Sequence, residues 1–321
     1  MKKLPISLIV DDPAPRVHVF WAHSSGGVSE KGTPLRPDVP NDFLDEFCDV
    51  TEKENVHGKF SIVPMAGCQG DIIHGFRDYP DAEIAYWLET ANKRLGKRFS
   101  FGPEMLTHHK AVNLADGSFY DCNEMEWAAT QNRQTLGVYI ETAIRMLKDA
   151  GIRAVGVTSP WSFGIEVEDD YAAAVSDAVW NVWGEPDAWY FLRSLRDVPD
   201  ARPWVQFTEG NRHSVAIPST TYDVLWQSID MPASEVNDAY ISALADQILT
   251  EDGQHGTVAN AMKIGAMPVL IYHWQSLFSN GSRAGLHAFA IAAERINRNF
   301  GDRVEWMNFE DIAHAYLRGE F

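Results

Sequence analysis

Short apolar runs recur along this chain, each followed by a polar or amphipathic stretch long enough to make a helix. The clearest are residues 5–10 (PISLIV), 59–65 (KFSIVPM), 152–158 (IRAVGVT) and 267–273 (MPVLIYH). Continuous apolar runs of strand length suit strands buried on both faces, as in parallel sheets. Helices are expected over 41–56, 81–95, 124–150 (closed by Gly151), 168–182, 233–249 and 285–300, with a last strand at 304–307 and a final helix through Tyr316. Residues 17–21 (VHVFW) read as a second extended piece, and 99–107 as another that ends at His108-His109. Gly210-Asn211, between 204–209 and 213–218, predicts a β-hairpin set on the main fold. The alternation places the chain in the α/β class, and a closed parallel barrel accounts for the strand count better than an open sheet. With no repeat, low-complexity segment or Pro/Ser-rich linker, residues 1–321 are expected to form a single domain.

Charge narrows the partners. Lys and Arg number 27 against 45 Asp and Glu, a formal net charge of -18. Such a surface repels phosphate backbones and anionic lipid, so neither nucleic acid nor a membrane is an expected partner. The 11 Trp, 10 Tyr and 16 Phe, spread along the whole chain, argue against disorder. Three cysteines, Cys48, Cys68 and Cys122, make no CxxC pair and suit small buried residues in a reducing compartment. The start MKKLPISLIV carries two lysines and an apolar run, but the run is short and meets Asp11-Asp12 with no small-residue cleavage site. A cytoplasmic protein is expected.

In parallel α/β folds, functional groups collect just beyond the carboxyl ends of strands. The residues so placed are Asp11 and Asp12, His23, His108 and His109, Trp161, and His273 and Trp274. Two adjacent carboxylates repel one another, and a metal, a proton or a basic neighbour can neutralise them. If the segment is extended they point to opposite faces, so one Asp can hold a cation while the other, turned by the Pro13 and Pro15 bend, serves as a base. Only one of His108 and His109 can face a strand mouth. His273 is suited to acid catalysis or to ligation. Carboxylates and imidazoles converging from separate strands can form a divalent-metal site. Trp161 and Trp274 offer flat faces on which a sugar ring could stack. His74 and Arg77, in the Gly-rich loop 66–79, could also touch a substrate. No GxGxxG, GxxxxGK, GxSxG or HExxH motif is present.

These residues resemble the polysaccharide deacetylase (NodB-like) group of the glycoside hydrolase/deacetylase barrel superfamily. ISLIVDDP is similar to that group's T-F-D-D-G, and TSPW and IYHW fall where such barrels carry later strand-end motifs. The resemblance implies a distorted (β/α)7 barrel, a divalent metal, usually zinc, and hydrolysis of an N-acetyl or related C–N bond of a carbohydrate or small amide. It implies Asp11 as general base, Asp12 as metal ligand and His273 as the acid that protonates the leaving group. The group's two histidines four apart are not intact: in THHKAVN, His109 is followed by Asn113, so His108 or His109 takes the first ligand position and Asn113 the second.

Two further readings stand beside the metal-dependent hydrolase. A glycosidase on the same barrel would pair Asp11 or Asp12 with Glu104 or Glu166. A catalytically inactive sugar-binding protein would fit the missing histidine. The MPVLIYHWQSLFSNG region suits an active-site wall or the contact of a homo-oligomer equally well.

Overall fold

The first apolar run becomes the centre of the architecture. The computed structural model describes residues 3–321, at Ser25 the backbone alone; the Met1-Lys2 start of the leader-like segment lies outside them. In chain order the strands are β1 (Leu4–Asp11) and β2 (Gly58–Ile62); a two-residue hairpin, β3 (Gly70–Asp71) and β4 (Gly75–Phe76); β5 (Phe99–Pro103); a second hairpin, β6 (Lys110–Val112) and β7 (Phe119–Asn123); β8 (Gly156–Thr158) and β9 (Asp187–Phe191); β10 (Trp204–Glu209) and β11 (Arg212–Ala216); and β12 (Val269–His273) and β13 (Val304–Trp306).

β1 pairs in parallel with three neighbours. Ser7 to Asp11 lie against Val269 to His273 of β12, Leu8 to Val10 against Gly58 to Phe60 of β2, and Leu4 to Ile6 against Val304 to Trp306 of β13. β2 continues in parallel to β5. A second sheet runs β8-β9-β11-β10, parallel except for β10. Between the sheets, Phe101 and Ala154 make a single parallel bridge on one side. On the other, the Thr220 and Thr221 N–H groups donate to the Val269 carbonyl at 3.0 and 3.3 Å. This is an α/β fold whose parallel strands are consistent with a distorted barrel, and among the described residues its ladders do not join into a closed one.

Helices cover the strands as the 3.6-residue pattern requires. Asn41–Lys53 buries Phe43 and Phe47 against Phe60 of β2 and against Trp274. Glu168–Trp183 packs over the second sheet, Arg133–Asp149 packs on that helix and on β5, and Tyr139, Tyr171 and Trp189 are buried in the same cluster. No helix of the described residues is long and apolar enough to cross a membrane.

Several expectations are corrected. Residues 17–21 are not a strand: Val17 makes one isolated bridge to Asp38, and Val19–His23 is a helix whose first turn is capped when the Trp21 N–H donates to His18 Nδ1 at 3.0 Å. Pro13 and Pro15 have already broken the ladder there. The long helix at 124–150 is two, Glu124–Ala128 and Arg133–Asp149, because Asn132 caps the second with the Gln134 and Thr135 N–H groups. The hairpin is present, but it is not a mere appendage. β11 pairs with β9 and completes the second sheet, leaving β10 as the added strand.

Candidate functional site

The carboxyl ends of β1, β5, β8, β9 and β12 meet at one cleft of about 320 Å³, lined among others by Asp11, Asp12, His23, Glu104, His108, Trp161 and His273. Asp11 and His273 are register partners across β1 and β12, which places both at the same level of the sheet. Asp12, one residue beyond the ladder, has a left-handed backbone (φ 65°), and this turn lets it line the cleft together with Asp11.

Asp12, Glu104 and His108 form the centre. One ligand atom of each lies within 4.8 Å of the others, and all three residues are buried. Glu104 follows β5 directly, its N–H donating to the Ile62 carbonyl at 3.0 Å. Its Oε2 accepts the Asp12 N–H at 2.7 Å, and its Oε1 stands 3.5 Å from His108 Nε2. The same Nε2 is 2.9 Å from Asp12 Oδ1. Asp12 Oδ2 accepts from Gln275 Nε2 at 2.8 Å, which leaves Oδ1 facing His108 Nε2.

The loop that carries Glu104 and His108 is held by a residue outside the cluster. The Glu124 carboxylate accepts three successive backbone N–H groups, from Leu106 (2.9 Å), Thr107 (3.0 Å) and His108 (2.8 Å), and also the Tyr139 hydroxyl at 2.7 Å. Within that loop Met105 and His108 are left-handed (φ 48° and 50°), a conformation that non-glycine residues hold only when their surroundings fix it.

The electrostatics fit a cation. Burial, together with the charges of Asp11 and Asp12, pushes the Glu104 carboxyl well above its ordinary value. Burial also opposes the charge of Asp12, but the facing His108 outweighs it and holds that carboxyl far below the carboxylate range. Conversely, Asp12 lifts His108 to about 10 against the effect of burial. Two buried carboxyl groups, Asp12 and Glu104, thus face one imidazole nitrogen, His108 Nε2, while the buried His108 Nδ1 has no hydrogen-bond partner among the described residues. Two carboxylates and an imidazole are an ordinary donor set for a divalent ion.

Asp11 and His273 flank this centre with partners of their own. Asp11 Oδ1 accepts from the ammonium of Lys59, a fully buried residue of β2, and from Ser61 Oγ at 3.3 Å. Lys59 also donates to Thr158 Oγ1 at 2.5 Å and lies over the Phe191 ring at 4.7 Å. His273 Nδ1 is 2.8 Å from Asp223 Oδ2. Burial works against protonation of His273, but the Asp223 hydrogen bond and the charges of Asp12, Asp223 and Asp11 prevail and raise it to about 9.

Of the residues singled out from the sequence, Asp11, Asp12, His108, Trp161 and His273 all line the cleft. Trp161 is 44% exposed at the mouth, its ring centroid 4.5 Å from that of His108. His109 is outside the cluster: its carbonyl accepts the Glu124 N–H, and its ring lies 6.3 Å from that of His23. Asn113 sits in the turn of the β6–β7 hairpin and lines a different cavity, so it is no ligand here. Trp274, only 1% exposed, packs on Phe43, Phe47 and Phe60 in the core. Its neighbour Gln275, from the helix Trp274–Phe278, is the one that reaches Asp12. Glu166 is exposed and away from the cleft.

Lys59, Glu104 as a ligand, Glu124, Asp223 and Gln275 were beyond the sequence reading. Only Glu104 carries a retrievable signal: Glu104 and His108 are four residues apart, immediately after a strand.

No family model and no curated protein matches the chain. Solved structures do match. One is a provisionally named polysaccharide deacetylase from Mycobacterium smegmatis, 13% identical with a TM-score of 0.55, the match covering 99% of this chain and 92% of that one. Another is a provisionally named glycoside hydrolase/deacetylase from Parabacteroides distasonis, 9% identical with a TM-score of 0.50, covering 98% of this chain and 72% of that one. The likeness is one of fold.

Proposed function

We propose that this protein is a metal-dependent hydrolase that removes an acyl group from the nitrogen of a carbohydrate or similar small amide. The observation that carries the reading is the convergence of Asp12, Glu104 and His108 in a cleft shared with Asp11 and His273. Asp12, Glu104 and His108 would hold the ion, with zinc the first to test. Such an ion supplies polarisation of the acyl carbonyl and acidification of water.

The chain's own groups account for the proton transfers. Lys59 and Ser61 both engage Oδ1 of Asp11, and no hydrogen bond among the described residues takes Oδ2. That oxygen is free to accept a proton from the attacking water. His273, held through Nδ1 by Asp223 and protonated up to about pH 9, has its other ring nitrogen to deliver a proton to the departing amine. Trp161 at the mouth offers a face for the sugar ring. The glycosidase reading loses one of its acids, because Glu166 is not in the cleft.

Metal analysis of the purified protein, beside acetate release from a panel of N-acetylated sugars, tests the proposal. Wild type is expected to retain about one divalent ion per chain, and Asp12→Ala and Glu104→Ala to lose it. Asp11→Asn should keep the ion and lose acetate release. Equal, negligible metal in wild type and both ligand variants would end the metal-dependent reading, and chelator-insensitive acetate release would do the same.

A further inference from the structure

One side of the cleft is closed by residues with no part in the proposed chemistry. Phe20, on the helix Val19–His23, meets Trp226, from the turn Trp226–Asp230, with ring centroids 5.0 Å apart. Trp226 stands edge-on to His273, again at 5.0 Å. From Phe20 the aromatic line continues to His23 at 5.4 Å, and His23 stacks on His108 at 5.3 Å with 14° between the ring planes. His23 also meets Trp161 at 5.6 Å. These rings form a continuous collar from the proposed acid to the exposed face at the mouth.

The collar is braced from several directions. Ser29 Oγ donates to Asp230 Oδ1, and Lys31 pairs with the same carboxylate at 3.7 Å, tying the loop after Val19–His23 to the turn that carries Trp226. Further along that loop, the Arg36 N–H donates to Asn280 Oδ1 at 2.8 Å, and Asn280 Nδ2 donates back to the Pro34 carbonyl at 2.9 Å. Beneath the helix, Ala22 packs so tightly on Gly67 that a Cβ at Gly67 would lie 2.2 Å from the Ala22 Cβ.

An internal unit of a polymer needs a path past the reacting ring on both sides. Trp226, edge-on to His273, walls the cleft beside the group proposed to protonate the amine. We infer that Phe20 and Trp226 are specificity-determining residues that restrict the site to a single N-acylated ring, presented as a free monosaccharide or as a chain end, and exclude the interior of a polymer. This deepens the hydrolase reading and rests on it for the chemistry, but the wall also acts on binding alone.

The experiment uses the metal-loaded full chain with N-acetylglucosamine, chitohexaose and soluble glycol chitin at equal N-acetyl concentration. Acetate release is followed by mass-spectrometric mapping of the deacetylated ring, and saturation-transfer NMR reports which rings are bound. Wild type should act on the monosaccharide or on one terminal ring of the hexaose, the two arms separating these sources. Phe20→Ala and Trp226→Ala should raise release from glycol chitin relative to the small substrate by about tenfold or more. Deacetylation of internal hexaose rings by wild type at rates matching the end ring would overturn the wall while leaving the hydrolase standing. If no acetate is released but saturation transfer marks one terminal or free ring, the hydrolase fails and the wall stands. Equal transfer to internal rings, or no binding of any probe, overturns the wall. Mapping on wild type decides the matter even if either variant fails to fold.

Discussion

Lys59 illustrates how much of this site depends on single side chains behind it. Its ammonium is fully buried, shared by Asp11, Ser61 and Thr158. A buried pair contributes little net stability over an apolar pair, but removing one partner leaves an uncompensated charge. Lys59→Met is therefore expected to destabilise the fold by about 3–5 kcal/mol, read from urea unfolding, and Lys59→Met combined with Asp11→Leu should recover much of that loss. A single variant as stable as wild type would show that the pair is not structural. None of this was legible beforehand, since a lysine between Gly58 and Phe60 carries no mark of facing inward. Trp274 and Gln275 make the same point: both follow a strand end, and only helix phase decides that the ring enters the core while the amide meets Asp12. Asp11, Asp12, His108 and His273 could be found because strand-end position alone identifies them.

At the scale of elements, apolar runs with clear ends were readable and irregular connections were not. β1, β2 and β12 follow from their sequences, as do the helices Asp81–Leu95 and Glu168–Trp183. β9, with its DAWYF sequence, and the β6–β7 hairpin were missed, because their pairing depends on distant partners rather than on local pattern. The segment between β5 and β6 is the functional case. Glu124, the first residue of the helix Glu124–Ala128, gathers three of its N–H groups and so fixes where Glu104 and His108 stand. Glu124→Gln would set an amide NH₂ against donors. Its affinity for a divalent ion, measured calorimetrically, should fall by about 10- to 100-fold while the circular dichroism spectrum is kept. Tyr139→Phe, which takes one of the four bonds from the Glu124 carboxylate together with the Val112 N–H bond to the hydroxyl, should lose less. Unchanged ion affinity in Glu124→Gln would show that the loop holds its shape without the carboxylate.

For the whole molecule, buried histidines of opposite tendency set a pH window. Burial lowers His18 to about 4, and its Nδ1 is occupied as the cap of the helix Val19–His23. The unfolded chain binds that proton more readily, so the stability from His18 is complete above pH 6.5 and is lost as pH falls through 4, by on the order of 3 kcal/mol. His273, raised to about 9 in the fold, behaves in reverse: its contribution is present below pH 6.5 and is lost as pH climbs through 9. The joint contribution of these two histidines to the urea resistance of metal-free protein should be greatest near pH 6.5. His18→Asn, which can still cap the helix but does not titrate, should flatten the acid side of that curve; an unchanged slope would assign the acid loss elsewhere.

The left-handed backbone at Asp12, Met105, His108 and Trp161 has a consequence for the order in which the protein comes apart on warming. Each of these turns departs from the relaxed geometry of its residue by about 1–2 kcal/mol, whereas the ladders of β1 with β2 and β12 run without such departures. The rim of the cleft should therefore open first, as a local event beneath an intact sheet. Deuterium uptake at the Leu106, Thr107 and His108 amides should precede uptake at Leu8 to Val10 by many degrees.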